Sequence, residues 1–204
     1  MIRHTGLMLF LLAVGGCAAT RTVPPAPAVP APVPPASPVP APAQAVLPPA
    51  SYSTVSVDHL SVVQADSDLI DTEKTPAARV RLVADAQSQA EHCLAEAPQD
   101  GVCHYARGIV YGLAAREQPL QANALLKNML GSLTKAESLA PALDHAGPAR
   151  LQAIVLLRAP PWPLGPGDAE AGLAAAKRAV ALDAAWPANQ MILQEAQKRL
   201  AQGQ

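Results

Sequence analysis

Cys93-Leu-Ala-Glu-Ala-Pro98, Ala136-Glu-Ser-Leu-Ala-Pro141 and Ala179-Val-Ala-Leu-Asp183-Ala184 are three versions of one segment. Each places a small residue five positions before a Pro, or before an Ala where the Pro would stand. Pro98 to Pro141 and Pro141 to Ala184 are both steps of 43 residues. A fixed period in this range marks a helical repeat array, in which each unit buries its apolar face only by stacking on its neighbours. These segments read as the ends of the second helices of three units.

The flanking sequence supplies those helices. Pro76 suits the first helical position and opens a long helix to about Ala97. Val102, Tyr105, Ala106, Ile109, Val110 and Leu113 fall on one face of the next. Leu125, Met129, Leu130, Leu133 and Ala136 repeat the pattern in a helix from about Pro119 to Ala140. Leu151 to Leu157 is apolar nearly all round, which predicts a helix buried between others. Asp168 caps a helix to about Leu182 that covers Leu173, Ala176 and Val180. The last helix carries Ile192, Leu193, Ala196 and Leu200 on one side. Gln194, Lys198 and Arg199 on the other side suit the end of an array. Ahead of Pro76, residues 51–75 have no firm assignment; a short helix from Asp58, as cap, to Ile70 is the best fit, with Leu60 and Val63 inward.

Composition narrows the function. Lys+Arg 15 against Asp+Glu 16 gives a net charge of −1, which excludes a nucleic-acid or polybasic membrane surface. Aromatics at 3% leave no base-stacking platform. The length allows one modest domain of roughly 100–150 residues, here 76–204.

The amino terminus reads as an address. Arg3 and His4 precede an apolar run, Leu7 to Val14, too short for a membrane-spanning helix of about 20 residues. Residues 1–16 are therefore expected to be a signal peptide. Val14-Gly15-Gly16-Cys17 resembles the bacterial lipobox, in which the Cys is acylated and becomes the new amino terminus; Val replaces the commoner Leu. The alternative is an ordinary signal with an incidental Cys. By that resemblance Cys17 is the lipidation site, and Ala18, where inner-membrane retention favours Asp, implies the outer membrane. Several acyl chains anchor stably where one binds marginally. Residues 17–50 then form a linker with twelve prolines between Pro24 and Pro49. Proline fixes φ and lacks an N–H, so the expected state is a disordered, semi-rigid spacer able to span roughly 80 Å. A ligand for a proline-binding module is the alternative.

The helical part resembles tetratricopeptide repeats. Cys93, Ala136 and Ala179 match the small residues where paired helices cross, Pro98 and Pro141 the terminal Pro, and Gly108-Ile-Val-Tyr111 the Gly-x-x-Tyr of a first helix. The family period is 34, which implies inserts at Glu117–Ala124 and Ala159–Asp168; Ala184 departs from the pattern. Leu143-Asp-His-Ala-Gly-Pro-Ala-Arg150 and Leu157-Arg-Ala-Pro-Pro-Trp-Pro-Leu-Gly-Pro-Gly-Asp168 look more narrowly like the tetratricopeptide-type lipoproteins associated with TRAP transporters. That resemblance covers about Gln89 to Leu200. It implies a periplasmic accessory whose cavity meets a solute-binding protein.

Few residues suggest chemistry. Cys93 and Cys103 in an exported chain suggest a disulfide, and the repeat alignment lets them face each other across two antiparallel helices. Buried free thiols and a zinc site with His92 and His104 are the rivals, the latter disfavoured because adjacent helical residues point about 100° apart. Asp144-His145 could pair a base with its orienter, but no nucleophile accompanies them; Asp144 reads more simply as a helix cap, with Pro148 in the first turn. Trp162, held between prolines, is a candidate ligand or partner contact, or a plug between helices. Arg150 and Arg158 could meet an anionic solute, or form salt bridges within the array. Together with His145 these are the candidate binding residues. No catalytic residue, metal site or cofactor is assigned. The expectation is a non-enzymatic, lipid-anchored protein of the bacterial cell envelope with its domain in the periplasm. It binds a solute or a solute-binding protein as a transport accessory, or serves as a scaffold for envelope-assembly proteins.

Overall fold

The computed structural model describes residues 52–203. The signal peptide, Cys17 and the proline-rich linker lie outside the described residues. The rest is all-α: α1 (Thr54–Thr72), α2 (Pro76–Glu96), α3 (Gly101–Glu117), a 3-10 turn (Pro119–Gln121), α4 (Ala122–Leu139), α5 (Leu143–Arg158), α6 (Ala169–Leu182) and α7 (Pro187–Ala201). The most extensive packing is α3 on α4, then α5 on α6 and α1 on α2. The described residues thus form three helical hairpins in series, closed by α7.

The 43-residue period is visible in the backbone. The residues ending α2, α4 and α6 are Ala97 (φ −137, ψ 71), Ala140 (φ −145, ψ 66) and Asp183 (φ −148, ψ 89), one shared conformation. Their N–H groups donate to the carbonyls of Cys93, Ala136 and Ala179, the three small residues of the repeated segment. Before Pro98 and Pro141 the proline ring itself drives its predecessor out of the helical region. No proline follows Asp183. There the Asp183 carboxylate accepts from the N–H groups of Ala185 and Trp186, at 3.1 Å each, and a side chain makes the turn that a ring makes elsewhere.

Close crossings explain the small residues. Cys93, Ala136 and Ala179 are buried on the inward faces of the second helices. Gly108 meets Leu133 where α3 crosses α4, and a Cβ there would stand 2.8 Å from the Leu133 side chain. The main core joins Leu60, Val63, Val102, Tyr105, Val110, Leu133 and Val155 from α1, α3, α4 and α5. A second core, around Leu157, Ala176, Ile192 and Ala196, binds α5, α6 and α7 together.

The Cys93–Cys103 disulfide is present, joining α2 to α3 with Cα atoms 5.3 Å apart. Two expectations are corrected. Residues 51–75 contain α1, which starts at Thr54 rather than at an Asp58 cap and belongs fully to the array, with Leu60, Val63 and Ile70 buried. The stretch Glu117–Ala124 is not an inserted loop; it is absorbed into the end of α3, the 3-10 turn and the start of α4. Asp168 does cap α6, accepting from the Ala171 N–H at 2.9 Å.

Candidate functional site

Residues of α1, α3, α4 and α5 line a cleft of about 750 Å³. Ile109, Leu113, Leu126, Met129, Leu151 and Ile154 form apolar walls. Gln64, Ser67 and Asp68 give it a polar side along α1, and further polar groups stand at its two ends. Tyr105, Asp144 and Arg150 lie at one, and Arg116 and Arg158 at the other; the eleven-residue step from Tyr105 to Arg116 covers about 16 Å of α3.

The first end rests on an unusual turn. Asp144, His145 and Ala146 have φ of 48°, 54° and 62°, three consecutive left-handed residues without a glycine among them. Each costs about 1–2 kcal/mol, so the surroundings must hold the turn in place. Arg150 does much of this. Its Nη1 donates to the carbonyls of Asp144 (3.1 Å) and His145 (2.8 Å), and its Nη2 to the Asp144 carboxylate at 2.9 Å. Tyr105 donates its hydroxyl to the same carboxylate oxygen. Gly147 follows because a Cβ there would lie 2.4 Å from the Tyr105 hydroxyl oxygen. Burial pushes the Tyr105 phenol far above its ordinary pKa, and the Asp144 charge adds to this.

Asn189, at the start of α7, closes the network. It is fully buried. Its Nδ2 donates to the carbonyls of His145 (3.0 Å), Ala179 (3.2 Å) and Asp183 (2.8 Å). Its Oδ1 accepts from Arg150 at 3.2 Å. Every polar atom of this side chain is used, as a buried amide requires. Asp144 is therefore no helix cap; its carboxylate ties α3 to Arg150, and the regular part of α5 begins beyond it.

His145 faces away from the cleft. Its ring stacks on Trp186, and its Nδ1 lies 2.8 Å from the Asp183 carboxylate. That hydrogen bond holds Asp183 below the ordinary carboxylate range; the Ala185 and Trp186 N–H groups reinforce it against partial burial. At the far end, Arg158 pairs with Glu195 (2.8 Å) and Arg116 with Asp71 (2.8 Å). The Glu195 hydrogen bond raises the Arg158 pKa.

The candidate residues therefore separate. Arg150 and Arg158 line one cleft, and each already has a carboxylate partner, as the salt-bridge alternative anticipates. His145 belongs to the outer surface beside Trp186. Trp162 lies in the loop between α5 and α6, 84% exposed; it plugs no gap and is not among the residues lining the cleft. Sequence reasoning missed Asn189, Asp183 and the polar role of Tyr105. One signal pointed to Asn189: it stands three residues before Ile192, a polar side chain on the apolar face of α7. Among the described residues no group of His, Cys, Asp and Glu is placed to hold a metal ion, and no helix is long and apolar enough to cross a membrane.

Fold and cleft together define an all-α helical-repeat protein with a binding-sized hollow between its hairpins. No family model matches the chain, and no curated protein matches it.

Proposed function

We propose that this protein is a non-enzymatic accessory of the bacterial envelope, lipidated at Cys17 in the outer membrane, with its repeat domain in the periplasm. In this reading the array is of tetratricopeptide type and serves solute uptake, either holding a solute itself or meeting a solute-binding protein. The observation that carries it is the cleft of about 750 Å³, a volume in the usual range for small-molecule sites, with largely apolar walls and polar groups along α1 and at both ends. Such a lining suits an organic molecule with an apolar middle. Tyr105, Asp144 and Arg150 are committed to one another and to the turn, which supports positioning roles for them rather than proton transfer.

The test is affinity capture of the mature protein from envelope extract under oxidising conditions, beside an Ile154→Trp variant that fills the cleft. Recovery of a periplasmic solute-binding protein or a small molecule by the parent chain, and its loss in the variant, supports the proposal. Recovery of envelope-assembly proteins by both chains, with no solute binder, transfers the reading to the scaffold.

A further inference from the structure

The loop Ala159-Pro-Pro-Trp-Pro-Leu-Gly-Pro-Gly167 carries no charged side chain, and its only polar side-chain group is the Trp162 indole N–H. Its two largest side chains point out of the protein, Trp162 at 84% and Leu164 at 75% exposure. The backbone leaves few N–H groups wanting water, whereas the carbonyls of Ala159, Trp162, Pro163, Leu164, Gly165 and Pro166 accept no hydrogen bond among the described residues. Four of the nine residues are prolines, without an N–H. The N–H groups of Leu164 and Gly165 donate to the Pro161 carbonyl at 3.0 and 3.2 Å, and that of Gly167 to Pro160 at 2.9 Å. At the two stems, Ala159 donates to Val155 and Asp168 to Leu156. Only the backbone N–H of Trp162 and its indole N–H have no partner among the described residues.

A loop normally exposes its N–H groups to water, and moving such groups into an apolar medium is costly. Here the N–H share of that cost has been largely removed in advance and the free carbonyls are left to water at headgroup level, while a rigid turn holds an indole and an isobutyl group at the tip. We infer that Trp162 and Leu164 form a wedge that enters the interfacial layer of an uncharged, zwitterionic lipid bilayer. The indole suits that layer, since its apolar body sits at the acyl boundary while its N–H meets the ester carbonyls. Two features favour lipid over a protein. The two side chains offer on the order of 300 Å², well under the roughly 800 Å² per partner of a stable protein interface. Exposed Pro160, Pro161 and Pro163 add some apolar surface beside them, and the charges that flank the loop in sequence, Asp168, Glu170 and Arg158 with its partner Glu195, form no basic cluster for anionic headgroups. Two side chains hold a bilayer weakly alone, and act when the domain is already kept near the surface. The inference does not depend on what the cleft holds, because Trp162 lies outside its lining.

The test uses the full chain held on phosphatidylcholine vesicles, by its own acyl groups or, as Cys17→Ser, by an amino-terminal tag on a chelating lipid. Some of the lipid carries bromine near the top of its acyl chains, to quench any indole that reaches it. In a Trp186→Phe chain, Trp162 is expected to shift to the blue and lose about half its emission, and Leu164→Ser to reduce that loss. In a Trp162→Phe chain, Trp186 is expected to be unaffected. Adding phosphatidylglycerol is expected to change neither result. Unquenched Trp162 overturns the inference, as does equal quenching of both indoles or quenching that requires anionic lipid. A blue shift of Trp162 with soluble envelope proteins but not with vesicles overturns it in favour of a protein partner.

Discussion

The imidazole of His145 lies face to face with the indole of Trp186, ring centroids 3.8 Å apart and planes 2° from parallel. The stack joins the left-handed turn of α5 to the entry of α7. Asp183 fastens it from below, holding the His145 Nδ1 and the Trp186 N–H with the two oxygens of one carboxylate.

This geometry makes the stack acid-sensitive. Asp183 has a lowered pKa in the folded protein, so its contribution to stability is present above about pH 4 and is lost as pH falls through the folded value. In a Trp162→Phe chain, Trp186 near-ultraviolet circular dichroism is expected to change over that acid range. Asp183→Asn is expected to abolish the transition. A signal that titrates identically in both chains would show that Asp183 does not govern the stack.

Asn189→Ala is expected to destabilise the array by about 2–4 kcal/mol, because it strips partners from three carbonyls and from Arg150 around a strained turn. Urea unfolding measures the loss. Arg150→Lys should recover little relative to Arg150→Ala, since an ammonium cannot reach two carbonyls, a carboxylate and an amide from one plane.

His104 predicts a second pH dependence, of the same sign but nearer neutrality. Its Nε2 lies 3.0 Å from the Pro98 carbonyl and its Nδ1 3.3 Å from Arg107 Nη2, which assigns the proton to Nε2 and makes Nδ1 an acceptor. Burial lowers its pKa most, with the charges of Arg107 and Lys135 adding against the Pro98 carbonyl. Below about pH 6.5 the unfolded chain then binds more protons than the folded one. Stability is expected to rise with pH from the lowered folded value up to about 6.5 and to be level above it. His104→Gln, which keeps a donor for Pro98 and does not titrate, should flatten the rise in urea midpoints between about pH 5 and about pH 7.5.

Removing the disulfide as Cys93→Ala with Cys103→Ala should cost a little under 3 kcal/mol in the chain-entropy view. A dithiothreitol titration followed by thermal melting gives the same comparison without substitution. Leu133→Ala, in the α3–α4 crossing, should cost about 2–5 kcal/mol, whereas Leu120→Ala, fully exposed in the 3-10 turn, should be near neutral.

Much of the fold is legible in local patterns. The apolar face of α3, the buried run of α5 and the polar side of α7 follow from a 3.6-residue period that tertiary packing has no reason to override. The shared ends of α2, α4 and α6 are legible because proline acts on its immediate neighbour. The candidate site is another matter. Three left-handed residues in a row at Asp144-His145-Ala146 contradict local preference and exist only because Tyr105, Arg150 and Asn189 hold them. Two of these three partners lie about 40 residues away in the chain, beyond the reach of any spacing rule. The start of α1 was obscured for a different reason, since Thr54, Val55 and Val57 are indifferent, exposed helix formers, and the turn is carried by buried Ser56 and Leu60 in a helix packed on α2 and α3.

Three hairpins are close to the fewest that make a repeat array worth folding, and such arrays usually hold together joint by joint through nearest-neighbour packing alone. Here each joint has a second fastening of a different kind. A covalent bond ties the first hairpin to the second, and a chain of hydrogen bonds from Tyr105 through Asp144, Arg150 and Asn189 ties the second to the third and to α7. An array fastened this way has no weak seam at which one end can peel off while the other stays folded. It should melt as a single cooperative unit, and the cleft between its hairpins should keep its shape until the whole domain lets go.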